Sequence, residues 1–277
     1  VEAVTLRLDR DRGHEEALRL ATERRLAGFE PAAVKLALDE SQSVVVRQAA
    51  IGSLAHRPGR FRRQVLPLLG IRNGDLRLAA IQCFGPADGL SADDRDVIGP
   101  LLIRVAQHDA SEGHRQEAIF ALGTWRDPDA RPFLEKVLAE NPPVVLAEQS
   151  FDESVYWRYR HRLVALVGLA RLDDASARAE LETLHRRGGP TEKMDVLLAC
   201  LSLGECPPWA MDDLEATEPK LLATAARLIV AHGSPEQRRR LVEHCGPATA
   251  FQAFANSGID DHNLLRFVRE AGHAQAD

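Results

Sequence analysis

The feature that most constrains this chain is a short pattern that keeps returning: an arginine, an alanine three residues later, and an apolar run. It stands in VVRQAAIGSLA (residues 45–55), DLRLAAIQCFG (75–85), GHRQEAIFALG (113–123) and RHRLVALVGLA (160–170). The arginines are Arg47, Arg77, Arg115 and Arg162, and weaker copies place Lys193 and Lys220 at the same point. The spacing is about 30 residues with insertions ahead of Arg115 and Arg162, which is the length of one helix pair in a repeat array. One such pair cannot bury its apolar face alone; stacking on neighbours does it.

The clearest copy runs from His114 to Glu140. Ala118, Ala121, Leu122 and Trp125 fall at i, i+3, i+4 and i+7, so they share one helical face. Gly123 lies on that face, where a helix can turn off or a neighbouring backbone can come close. Asp127-Pro128 restarts the chain, Asp as a cap and Pro at the first helical position. Ala130, Phe133, Leu134, Val137 and Leu138 then form the inner face of the next helix, and Pro142-Pro143 ends it.

Arg-x-x-Ala in the second helix, with Gly-x-x-x-Asp-Pro-x-Ala from Gly123 to Ala130, resembles the HEAT-repeat superfamily. The likeness is greatest to the short bacterial HEAT-like repeats first named from phycobilisome lyases. Asp109 and Asp39, ahead of Arg115 and Arg47, fit the family's aspartate less regularly. The resemblance covers about residues 40–187. It implies an all-α fold, an α-solenoid of stacked antiparallel helix pairs wound into a HEAT-like superhelix, with the second helices lining the concave side. We expect one solenoid over residues 1–277, with an N-terminal cap over 1–29, repeats over 30–245 and a C-terminal cap over 246–277.

In chain order, residues 31–56 read as the first pair. Residues 60–85 read as the second, with Arg57, Arg60, Arg62 and Arg63 as a solvated cluster at its start. Gly85 to Asp96 reads as a loop, and residues 97–123 as the third pair. Ser150 and Glu153 have capping-box spacing ahead of the helix that carries Arg162, and Ser234 and Gln237 have it near the end of the array. Asp173-Asp174 takes the place of Asp127-Pro128. Gly188-Gly189-Pro190 and Pro207-Pro208-Trp209 read as breaks.

Composition limits the function classes. The net charge is −6, which argues against a protein that lives on nucleic acid or anionic lipid. No apolar run approaches the roughly 18 residues of a membrane-spanning helix, and no leader pattern is recognised. The four cysteines form no Cys-x-x-Cys pair; Cys83 and Cys200 sit on apolar helical faces as core residues. These features fit a reducing, cytoplasmic setting. Ten histidines yield neither His-Glu-x-x-His nor His-x-x-x-His, so no metal ligand set is assigned. No phosphate-binding, dinucleotide-binding or nucleophile-elbow motif is present, and no cofactor is implied.

One stretch stands out as a candidate binding surface. Both tyrosines of the chain lie in VYWRYRHR, as Tyr156 and Tyr159, together with Trp157, Arg158 and Arg160. Tyr, Trp and Arg dominate interface hot spots. The repeating arginines Arg47, Arg77, Arg115 and Arg162, with Asp127 in the turn, read as a structural ladder between repeats. Each arginine is expected to pair with a carboxylate of the turn before it. The function expected is therefore a non-enzymatic protein-interaction scaffold or regulatory binding module whose partner is another protein. Two alternatives remain at this point. HEAT-like DNA glycosylases place Trp and Asp at a lesion, and Trp125, Asp127 and Trp157 offer those residue types; a phycobilin lyase-like role is the other.

Overall fold

Why the arginine-alanine pattern recurs is visible in the packing of the second helices. The computed structural model describes residues 13–24, 26–144, 146 and 152–244, and every described element is helical, with no strand. The expected C-terminal cap over 246–277 lies outside the described residues, as do residues 1–12 of the expected N-terminal cap. The chain divides into two units, Val1–Pro142 with Arg160–Asp173, and Pro143–Tyr159 with Asp174–Asp277.

In the first unit the helices are α1 (His14–Glu23), α2 (Glu30–Leu38), α3 (Val44–Ser53), α4 (Gly59–Arg62), α5 (Gly74–Phe84), α6 (Ala92–His108), α7 (Glu112–Thr124) and α8 (Arg131–Glu140). Residues 160–171 of α9 (Glu153–Arg171) complete it. First helices pack on their second helices, α2 on α3 and α6 on α7. Second helices stack on one another in the order α1, α3, α5, α7. The four alanines of the pattern, Ala50, Ala80, Ala118 and Ala165, are each 0% exposed. A methyl group is what fits where one second helix lies against the next, which is the physical content of the spacing.

Gly123 and Gly168 carry the closest of these approaches. A Cβ at Gly123 would stand 2.7 Å from the Cα of Gly168, and a Cβ at Gly168 would stand 2.9 Å from Leu134. The sequence offered two roles for Gly123, and close backbone approach is the one it fills, since the helix runs on to Thr124. The chain turns after it through Arg126, at φ 51°, and through Asp173, at φ 60°, after α9. Asp127 and Asp174 follow these left-handed residues, and both cap the next element with a carboxylate oxygen. The counterpart of Asp127 is thus Asp174, one residue later than the sequence alignment placed it.

Two further expectations are corrected, and a third falls on an undescribed residue. The first helix of the second pair is interrupted: α4 is a single turn, followed by a 3-10 segment, Arg63–Gly70, because Pro67 lacks the N–H a regular helix needs. The helix expected from residue 97 starts at Ala92, where Ser91 and Asp94 form a capping box. Asp152, whose Oδ1 accepts from the N–H of Ser154 (2.8 Å) and Val155 (3.3 Å), caps α9; Ser150 lies outside the described residues.

The second unit contains α10 (Ala175–Arg187), α11 (Pro190–Leu203), a 3-10 segment Pro208–Glu215 and α12 (Pro219–His232). The helices pack in sequence, α10 on α11 and α11 on α12, with the 3-10 segment against α12. Ser234 and Gln237 exchange the two bonds of a capping box, as their spacing indicated.

Gly123→Ala should lower stability by about 2–3 kcal/mol, because the added methyl must push two packed backbones apart. Gly52→Ala, on α3 with open space around the added methyl, should be neutral or stabilise by up to about 1 kcal/mol through helix propensity. Urea midpoints of the two variants test the contrast.

Candidate interaction surface

The repeating arginines are anchored largely by main-chain carbonyls. Arg47, 7% exposed, donates from Nε to Ala37 O at 3.0 Å, at the end of α2. Arg77 donates from Nη1 to Ile71 O at 2.8 Å. Arg162 donates from Nη1 to Leu138 O at 3.0 Å and Asn141 O at 2.8 Å, at the end of α8. Arg47, Arg77 and Arg162 each close the C-terminal end of the helical segment before their own. The carboxylate expected in the preceding turn is not the partner of Arg47, which meets a carbonyl. Arg77 does meet one, Asp109 at 2.8 Å, but Asp109 lies in the turn that follows. Arg115 turns instead to Glu112 of its own helix. Asp127 caps the turn through Asp129 N at 3.0 Å and stands 3.8 Å from Arg95 Nε.

Sequence reasoning missed the most deeply anchored arginine. Arg62, placed in a solvated cluster, is 0% exposed. It donates to Arg57 O at 2.9 Å, to Pro86 O at 2.6 Å, and to Asp88 O. The loop after α5 is wrapped around this guanidinium. Its neighbours are occupied too: Arg63 pairs with Asp94 at 2.7 Å and Arg57 with Glu30 at 3.7 Å. No local signal separates Arg62 from Arg60; only the carbonyls of the distant loop do.

The candidate stretch at the start of α9 splits into two. Tyr156 and Trp157 are half-buried and Arg158 is exposed. The rings of Tyr156 and Trp157 meet edge-to-face, centroids 5.2 Å apart at 70°. Trp157 Nε1 donates to Glu153 Oε1 at 3.3 Å, and Arg158 Nε to Ser154 O at 3.3 Å, each one turn back on the same helix. Tyr159 is 1% exposed and belongs to the core. Arg160 is half-buried, and its Nε donates to Gln116 Oε1 at 3.3 Å. The surface the sequence drew as five residues therefore presents Tyr156, Trp157 and Arg158, and withholds Tyr159.

Of the three residues proposed for a lesion-reading site, Trp157 stands half-buried at the start of α9, while Trp125 and Asp127 are not presented. Trp125 is 4% exposed, with its indole N–H donated to Phe84 O at 2.8 Å. Its ring holds two repeats together and has no open face on which a base could stack. Asp127 is committed to capping.

Beside the candidate stretch, His161 is 8% exposed and its Nε2 lies 3.2 Å from Glu112 O. Burial, with the positive charge of Arg115, lowers its pKa to about 4. Glu112 Oε2 is 3.6 Å away, but that carboxylate is engaged by Arg115, so its pull is offset. Burial also raises the pKa of Glu117, against the opposing effect of Arg160.

Among the described residues no three His, Cys, Asp or Glu side chains cluster as a metal site, and no helix is long and apolar enough to cross a membrane. Residues 63–150 match the family model described as HEAT repeats. No curated protein matches the chain.

The His161 shift has a defined pH signature. Between about pH 6.5 and pH 4 the unfolded chain binds a proton that the folded chain does not, so stability falls as pH falls through that window. The loss reaches about 3 kcal/mol when the folded form titrates. His161→Gln should flatten the stability profile between pH 6.5 and 4.5 relative to wild type, as read from denaturant midpoints at each pH. Parallel profiles would refute it.

Proposed function

We propose that the chain, whose residues 63–150 match HEAT repeats, which are commonly protein-interaction scaffolds, captures another protein, without catalysis, through the first turns of α9. The observation that carries this reading is the joint presentation of Tyr156, Trp157 and Arg158 on one helix start, two half-buried and one exposed. In a chain with two Tyr and three Trp, this is a concentrated share of the side chains that anchor interfaces. Half-buried rings carry little further conformational entropy into a complex, because their rotamers are already restrained. An exposed arginine beside them supplies a fork of donors for a carboxylate or carbonyl.

Helical repeats suit this task because the scaffold is set by neighbour stacking, independently of what the exposed positions carry. In the first unit, the row of second helices with Gln116, Glu117 and Arg160 is the other surface such a module would offer.

The double variant Tyr156→Ala, Trp157→Ala should abolish retention of a discrete, nuclease-resistant partner from cell extract. Its far-ultraviolet circular dichroism should match wild type. Tyr159→Ala should do the opposite, costing about 3–5 kcal/mol as a core truncation. If the double variant keeps the partner, the α9 surface is not the binding site. If nucleic acid is retained instead, and released by salt, the protein-binding reading fails.

A further inference from the structure

The second unit holds a cleft of about 820 Å³ lined by α10, α11 and the 3-10 segment Pro208–Glu215. That is within the size range of ligand clefts. Its floor is apolar, with Leu181, Cys200, Cys206, Pro207 and Trp209. Burial pushes the Cys200 thiol up to about 12 and the Cys206 thiol up to about 11. Both stay protonated near neutrality, so they act as apolar surface and not as nucleophiles.

The 3-10 geometry decides what faces the cleft. Residues at i and i+3 eclipse in such a helix. Ala210 and Asp213, at 0% and 3% exposure, form its buried edge. Trp209 and Asp212 form the next edge, and both line the cleft. Trp209 is a fixed platform. Its ring lies on His185 at 4.2 Å and 32°, and His185 Nε2 is held 2.5 Å from Asp213 Oδ2. The Trp209 indole N–H has no acceptor among the described residues.

Charge at the rim is uneven. Arg178 makes two bonds to Glu205, at 2.9 and 3.3 Å. Arg186 pairs with Glu182 at 2.6 Å. These four charges offset one another. Asp212 is exposed and pairs with none of the described residues, so the uncompensated charge at the cleft is negative.

We propose that this cleft binds an extended, proline-containing peptide carrying an arginine or lysine, its proline against Trp209 and Pro207 and its cation beside Asp212. Aromatic-lined grooves take proline-rich segments because the polyproline conformation is formed in advance and costs little entropy to fix. The carbonyls of such a segment have no internal hydrogen bonds, and one of them can accept the indole N–H. The cation gains the free carboxylate of Asp212, while the open face of the indole takes the proline ring. This inference does not rest on the α9 surface, and either can fail alone.

The test is fluorescence anisotropy with the full chain and three labelled synthetic peptides: one of alternating Pro and Arg, one with Glu for Arg, and one with Ala for Pro. The Pro-Arg peptide should bind and the other two should bind at least about tenfold more weakly. Asp212→Asn, at an exposed position, should weaken the Pro-Arg peptide about tenfold, and Trp209→Phe, which keeps a ring over His185, about fivefold. The Tyr156→Ala, Trp157→Ala variant should bind it as wild type does. No binding of the Pro-Arg peptide, equal binding of the Glu or Ala peptide, or an unchanged affinity in Asp212→Asn would each overturn the proposal. So would equally tight binding of spermine in competition, which would reduce the site to a simple cation trap.

Discussion

An α-helix ends with four carbonyls that its own backbone cannot satisfy, and the first unit meets that need with arginines from the next helix along. Arg47 serves the end of α2, Arg77 the end of the 3-10 segment Arg63–Gly70, and Arg162 the end of α8. The guanidinium suits the position because it presents several donors in a fixed plane and reaches across a helix diameter. Its charge also lies where the helix dipole is negative. Burying a cation is otherwise costly; the ends of neighbouring helices supply the compensation. The same residue thus fixes the length of one helix and the position of the next, so the repeat can propagate without a large core.

The close contact of Gly123 with Gly168 is the counterpart of this arrangement. Arginine ladders set the spacing at the helix ends, and small residues set it along the helix bodies. Ala50, Ala80 and Ala118 are fully buried on second helices with no more than a methyl group, and Gly123 and Gly168 remove even that where α7 meets α9. The 19-residue α9 is the longest described helix, and it is at this helix that the backbone approach is tightest. Trp125, buried and bonded to Phe84 O, fills volume on the opposite side, toward α5 and Gly99 of α6.

Much of this was legible in the residues. The helix pairs, the capping by Asp127 and the buried alanines follow from spacing and local chemistry, which act over one or two turns, whereas the choice between the two roles open to Gly123 is made by Gly168, 45 residues away. What escaped depends on contacts between distant segments. Arg62 and Arg60 look alike in the sequence, and only the carbonyls of Pro86 and Asp88 bury one of them. Tyr156 and Tyr159 share a helical face by periodicity, yet one is half-buried and the other fully so. Helical periodicity assigns a face; it does not say where along that face a neighbour stops covering it. Pro207-Pro208-Trp209 read as a break because neither proline has an N–H with which to continue a preceding helix, and the 3-10 segment that starts there has a different period from the one searched for.

That change of period has consequences for what the second unit can do. Lys193 stands at the ladder position there, and its Nζ lies 3.9 Å from Asp213 Oδ1. An ammonium is a point charge and cannot bridge several carbonyls in one plane as Arg162 does. The second unit therefore meets its buried charge through a carboxylate, Asp213, which also holds His185. Asp213 reaches both partners from the buried edge of the 3-10 segment, and its neighbour Asp212 is exposed on the edge that carries Trp209. The positions where a repeat protein departs from its own pattern are those freed from neighbour packing, and in this chain they bring an indole and an unpaired carboxylate to the surface together.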